Sequence, residues 1–148
     1  MNKAPLQLEH YFITDLHITA CQDYNLKKDK KYDIKNFHTN IKYFEKKNYP
    51  EMRQVQLKLQ YKPLKNENMP YEFGINIVGF FKIAPKLPDS ELNNLIRFNA
   101  PSMLYSAVRE IIANVSGRGP WGSFLIPTVS FLPQKIIRTK KRTISSKK

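Results

Sequence analysis

The chain holds a single cysteine, Cys21, among 148 residues, so no intramolecular disulfide framework can staple it. Glycine is scarce as well, with five residues, which excludes a collagen-like repeat or a glycine-rich linker. Histidine is limited to His10, His17 and His38, and the carboxylates number twelve, so metal or acid–base chemistry has few donors to draw on. No apolar run approaches the roughly 18 to 20 residues that span a bilayer. The start, Met1-Asn-Lys-Ala-Pro5, lacks the apolar stretch of a secretory signal. No internal repeat is visible. One domain in the reducing cytoplasm, without membrane insertion, is the expectation.

Acidic residues are the remaining scarcity. Against 25 Lys and Arg stand 12 Asp and Glu, a formal net charge of +13. Seven of the basic residues lie between Lys135 and Lys148, where no acid occurs. Without that segment the chain holds 18 basic and 12 acidic residues, a net of +6. Residues 1–134 are therefore read as the folded body and 135–148 as a basic, disordered tail that cannot bury enough apolar surface to offset its entropy. Such a tail offers weak, nonspecific contact with nucleic acid.

Within the body, four stretches have the period of strands. Leu6, Leu8, Phe12, Leu16, Ile18 and Ala20 are even-numbered and apolar between polar neighbours, with Tyr11 and Ile13 breaking the rule. A loop from Gln22 to Lys35 carries five lysines and three aspartates and reads as solvated. Phe37 to Glu45 offers Phe37, Ile41 and Tyr43 on one side, before Tyr49-Pro50 breaks the chain. From Arg53 to Lys62, Val55, Leu57, Leu59 and Tyr61 alternate cleanly with polar residues. Tyr71 to Ile83 sets Phe73, Ile75, Ile77, Phe81 and Ile83 on one face and Val78 and Phe80 on the other, so both faces are covered for part of its length.

The period then becomes helical. After Pro85 and Pro88, Asp89 or Ser90 can cap a short helix bearing Leu92, Leu95 and Ile96. Asn99-Ala-Pro101 restarts a longer one, in which Leu104, Val108, Ile111, Ile112 and Val115 form one apolar stripe ended by Gly117. An apolar, extended stretch containing Trp121, Phe124 and Phe131 follows. Strands followed by helices predict an α+β domain: a four-stranded antiparallel sheet with a short and a long helix.

Little chemistry is encoded. His10 and His17, seven apart on one strand, are expected on opposite faces, and His38 stands alone, so no metal site is expected. Cys21 has no CxxC partner. Ser116-Gly-Arg-Gly119 follows a helix, whereas a phosphate loop must precede one. No catalytic residue and no cofactor are expected. Aromatics, by contrast, exceed what a small core absorbs: Tyr11, Tyr43, Phe44, Phe80, Trp121, Phe124 and Phe131 are the surplus, suited to holding apolar side chains with little sequence preference.

In order along the chain, Gly79-Phe-Phe-Lys-Ile-Ala84, Asn99-Ala-Pro-Ser-Met-Leu-Tyr-Ser-Ala-Val-Arg-Glu110, Val115-Ser-Gly-Arg-Gly119 and Leu125-Ile-Pro-Thr-Val-Ser-Phe131 resemble the SecB protein-export chaperones over roughly residues 6 to 132. The resemblance implies an ATP-independent holdase without catalysis. It implies a homotetramer, a dimer of dimers built through the long helix, with Leu104, Tyr105, Val108, Ile111, Ile112 and Val115 as its oligomer residues. It also implies unfolded client polypeptides in a groove lined by Tyr43, Phe44, Phe80, Leu87, Leu92, Trp121, Phe124 and Phe131. Asp15 matches an acidic position used to dock the translocation motor SecA, while Thr19 stands where a second acid is expected. Pro133 and the basic tail replace the family's C-terminal amphipathic helix. Clients for export, a dedicated antitoxin client and a small nucleic-acid-binding protein acting through its tail stay open as roles, as does an adaptor for one partner.

Overall fold

The structure is a computed structural model that describes residues 1–132. Pro133 and the expected tail from Lys135 to Lys148 lie outside the described residues. Four strands, β1 (Leu6–Ala20), β2 (Phe37–Lys46), β3 (Tyr49–Tyr61) and β4 (Tyr71–Ile83), form one antiparallel sheet in the order β1-β4-β3-β2. Helix α1 (Asp89–Asn94), a π-helical turn (Leu95–Asn99) and helix α2 (Ala100–Ser116) then cross one face of it. The α+β expectation of four strands, a short helix and a long helix is met.

The core lies between that inner face and α2. Val55, Leu57, Leu59 and Tyr61 of β3 and Phe73, Ile75, Ile77, Phe81 and Ile83 of β4 point into it, as their alternation predicts. From α2, Leu104, Tyr105, Val108 and Ile112 meet them. The close approach needs Gly79, since a Cβ there would lie 2.6 Å from the Leu104 side chain. On the outer face, Val78 is 5% exposed although no second layer of structure lies above it among the described residues. Its cross-strand neighbours Phe12 and Gln56 flank it instead.

Strand β1 departs from simple alternation. Register shifts between Leu8 and His10 and between Ile13 and Asp15 each insert one extra residue. A bulge flips the parity of everything beyond it. Leu6 and Leu8 face inward, then Tyr11 and Ile13, then Leu16, Ile18 and Ala20, judged by their partners on β4. Phe12 thus lies on the outer face, and Tyr11 and Ile13 are in phase between the bulges. The second bulge also sets His10 and His17 on the same outer face, opposite Phe80 and Gly74. Six pleats of about 3.3 Å still separate them, far beyond the span of one metal ion.

Two further differences have local causes. Tyr49-Pro50 does not break the chain but begins β3, because the residues after it form a bulge: Lys46 pairs with Tyr49 whereas Glu45 pairs with Arg53. Proline has no ladder N–H to lose there. At the helix start, Pro88 precedes α1 without any side-chain cap, and Asp89 and Glu91 instead occupy the first turn, favourably for the helix dipole. The helix ends at Ser116 as expected, although Gly117 keeps right-handed φ (−59°), and the turn closes through Arg118 N–H to Val115 O and Gly119 N–H to Ser116 O.

After α2 the chain returns as an extended strap. The Tyr71 hydroxyl accepts from Trp121 N (3.0 Å) and lies 2.8 Å from Gly122 O and 3.1 Å from Ser116 O, its acceptors. Gly119 is required beside it, since a Cβ would come within 2.7 Å of that hydroxyl. Arg109 Nε donates to Ile126 O and Tyr105 Oη to Pro127 O, at 3.0 and 2.6 Å. Burial pushes the Tyr105 hydroxyl up to about 12, with the Arg109 cation opposing. Phe124 and Ile126 enter the core through this strap.

Candidate functional site

The β2–β3 hairpin end of the sheet is open. The bulge at Pro50 to Met52 is held by Arg53, whose Nη1 donates to Pro50 O (2.8 Å) and Met52 O (2.9 Å) and whose Nη2 pairs with Glu45 at 3.3 Å. The displaced strand leaves a hollow of about 420 Å³ on the outer face, lined by Phe44, Tyr49, Met52 and Phe80 with Glu45, Lys46, Arg53 and Gln54. Phe80 continues the apolar surface across the sheet to Phe12 and His10, with ring centroids 5.7 and 6.1 Å away. Phe44 is 46% exposed and Tyr49 56%, unusual for aromatics gathered in one patch.

A second cleft, of about 340 Å³, lies where α1 and the π turn meet β2. Its origin is Pro101. Ala100 N–H bonds back to Leu95 O, the wide spacing of a π turn, and Pro101 has no N–H to offer the Arg97 carbonyl. That carbonyl accepts instead from the Tyr43 hydroxyl at 3.4 Å. Partial burial raises the Tyr43 hydroxyl above its ordinary value, with the Arg97 cation opposing. Leu92, Ile96 and Arg97 form one wall of the cleft, and Tyr43, Phe44 and Arg53 the other.

The two hollows straddle β2. Phe44 lines both, while Tyr43 points to the helix side. β2 is also an edge strand: Phe37 N–H closes the preceding turn on Ile34 O, and among the described residues no backbone group outside β3 pairs with the rest of the strand. It therefore presents a main-chain edge with an apolar depression on the outer face and a cleft of mixed polar and apolar lining on the helix side. The arrangement can hold an extended chain, by hydrogen bonds to its backbone and burial of its side chains.

The remaining groove residues lie elsewhere. Leu87 packs half-buried against the core just before α1. Trp121 sits at the opposite, loop end of the strands, its Nε1 donating to Cys21 O at 3.0 Å and its ring edge-on to Tyr24. Phe124 is buried against Phe73, and Phe131 packs edge-on to Tyr105. The structure brings Tyr43, Phe44, Phe80 and Leu92 together and does not bring Trp121 or Phe124 to them. Tyr49, Met52, Ile96 and Arg97 join the site without having been singled out for it; Tyr49-Pro50 was its one visible signal, a break followed by the cleanest alternation in the chain.

Among the α2 residues, Leu104, Tyr105, Val108 and Ile112 are used in the chain's own core, leaving Ile111 partly and Val115 41% exposed. Tyr11 and Ile13, on the helix side of β1, are 41% and 39% exposed. Asp15 faces outward opposite Asn76, and Glu72 stands directly across from Thr19, so a carboxylate does occur beside the position where strand β1 lacks one. Burial, followed by the charge of Glu72, raises the Cys21 thiol and leaves it a poor nucleophile. Among the described residues, no three His, Cys, Asp or Glu cluster as metal ligands. No helix there is long and apolar enough to cross a membrane.

No curated protein matches the chain. Among solved structures, the SecB-like chaperone Rv1957 of Mycobacterium tuberculosis, in complex with a ChAD peptide from the Rv1956 HigA1 antitoxin, superposes with a TM-score of 0.62 at 12% identity, covering 88% of this chain and 94% of that one. A protein of unknown function from Streptococcus agalactiae is also similar, at 15% identity and a TM-score of 0.47, covering 83% and 97%. The family model described as preprotein translocase subunit SecB matches residues 1–137. The chain belongs to the SecB family, whose members are chaperones.

Proposed function

We propose that the protein is an ATP-independent holdase that takes non-native segments along the β2 edge. The carrying observation is the pair of hollows, one apolar and one mixed, straddling an edge that beyond Phe37 has no backbone partner outside β3 among the described residues. Affinity comes from apolar side chains entering the hollows, at about 25 cal/mol per Å² removed from water. Main-chain hydrogen bonds add hold without reading sequence. The exposed apolar side chains Tyr11 and Ile13 on β1 and Val115 on α2 support self-association, up to a dimer of dimers. On this reading the protein works in the cytoplasm, and the outer-face carboxylates Asp15 and Glu72 are the surface offered to the export motor.

The test is aggregation of an unfolded client without nucleotide. Wild-type protein at equimolar ratio should suppress it, and Phe44→Ser with Leu92→Ser should lose most of that effect while staying folded. A wild-type sample that leaves aggregation unchanged would sink the proposal. A second reading, a chaperone dedicated to one antitoxin, draws support from the peptide held by the Mycobacterium tuberculosis relative. Equal protection of several unrelated unfolded proteins would count against it.

A further inference from the structure

At the loop end, the lysine-rich connection Gln22–Lys35 is not loose. Asn68 accepts from Asn25 N at 2.9 Å, and its Nδ2 donates to Asn25 O, Lys28 O and Asp29 O at 3.1, 3.3 and 3.0 Å. A backbone bridge joins Lys31 to Asn68. Turning these carbonyls inward leaves the lysine side chains outside. They meet Lys65 of the β3–β4 turn around a hollow of about 690 Å³, lined by Lys28, Lys30, Lys31 and Lys65 with Asp23, Asp29 and Glu67.

The acids there are partly engaged. Glu67 accepts from Asp33 N, Leu64 N, Asn36 Nδ2 and Tyr61 Oη, and Asp33 caps the short turn at Ile34–Asn36 by accepting from Lys35 N. Lys27, Lys35 and Lys62 lie on the same loop and strand end, so the balance is basic. A smaller hollow containing Lys31, Tyr32 and Asn36 extends this region to the residue before β2, and the Tyr32 ring stands edge-on to Phe37 at 5.5 Å. At the other end of β2, Lys46, Lys47, Arg53 and Arg97 are only partly offset by Glu45 and Glu51, a smaller basic cluster than the one at the loop end.

We infer that this end selects the client: a preferred segment carries an aromatic or aliphatic anchor followed, about ten residues later, by a cluster of acidic side chains. The inference rests on the holdase reading. Strand β2 has ten residues, from the lysine end at Phe37 to the hollows at Lys46, and at about 3.4 Å per residue they span about 34 Å. Every pair in this sheet is antiparallel. A client added the same way runs from the hollows toward the lysines, so the anchor comes first in its sequence. Acids beside the anchor would meet Glu45 and Glu51 among fewer cations, whereas acids ten residues on meet the larger lysine cluster.

Three labelled peptides of about 16 residues, long enough for that span, test it on the full chain. One has a Phe-Leu anchor with four Asp about ten residues later, one has the same composition in reverse order, and one replaces Asp by Asn. The first should bind about tenfold tighter than the other two at low salt, with the advantage fading as salt rises. The Lys30→Ser, Lys31→Ser, Lys65→Ser triple variant should erase that advantage and leave the Asn peptide's affinity unchanged. Equal affinity of all three peptides for the wild type would overturn the inference and leave the holdase reading standing. If none of them bound, both would fall together.

Discussion

The two ends of this sheet solve opposite problems. At the loop end, polar side chains tie the chain to itself: Glu67 and Asn68 hold the β1–β2 connection, and Tyr71 and Ser116 hold the strap after α2. At the hairpin end, Pro50 and Pro101 each remove a backbone donor, and the space that results is lined by exposed aromatics. Satisfied hydrogen bonds make one end rigid. Apolar surface that no other described residue covers leaves the other end open. Changes at the first should register as stability and changes at the second as binding.

The largest effect is expected from Tyr71→Phe. It leaves Trp121 N–H without its acceptor and the Gly122 carbonyl without its donor in a largely buried setting, at a cost of about 3 kcal/mol. Urea unfolding would measure it, and a loss below about 1 kcal/mol would mean that the strap is not held there.

Next comes Glu67→Gln, at about 1 to 2 kcal/mol, with faster amide exchange from Gln22 to Lys35. Desolvation works against the Glu67 carboxylate, yet bonds from Leu64 N, Asp33 N, Asn36 and Tyr61 carry its pKa below the ordinary value of 4.5. A lowered folded value means stability that is complete above the unfolded pKa and lost as pH falls through the folded one. Wild-type loop exchange, corrected for its intrinsic pH dependence, should therefore rise in acid below about pH 4.5, and the variant should show no such step. Acid exchange that is identical in both proteins would detach Glu67 from the loop.

The smallest effect on stability belongs to the open end. Phe44→Ser should change unfolding free energy by no more than about 0.5 kcal/mol, because a half-exposed edge side chain gives up little. Client affinity should nevertheless fall about tenfold, since that side chain lines both hollows. Calorimetry beside a peptide-binding titration separates the two. A large stability loss with unchanged binding would reverse the comparison between the ends.

Several features were legible without coordinates. The period-2 runs at Val55–Tyr61 and Phe73–Ile83 and the helical stripe from Leu104 to Ile112 mark the core, because alternation and the 3.6-residue repeat are properties of the local backbone. Tyr43 and Phe44 were visible as part of an aromatic surplus in a small chain, whereas Leu92 entered only through the resemblance to the SecB chaperones. The two bulges in β1 were not visible, since a bulge is set by pairing with β4; only the apolar Tyr11 and Ile13, out of phase, hinted at them. The loop also escaped. Its five lysines and three aspartates look solvated in sequence, while the residues that pin it, Glu67 and Asn68, lie more than thirty positions away.

The sequence alone determined the element order, the inner faces of β3 and β4 and the basic balance, all consequences of side-chain type and short-range spacing. Only tertiary structure decided which aromatics are free. Phe124 and Phe44 are the same residue type, yet the strap carries Phe124 into the core against Phe73 while the hairpin bulge and the edge of the sheet leave Phe44 outside. Burial is settled by what else reaches the same place, and that follows from contacts between residues distant in the chain.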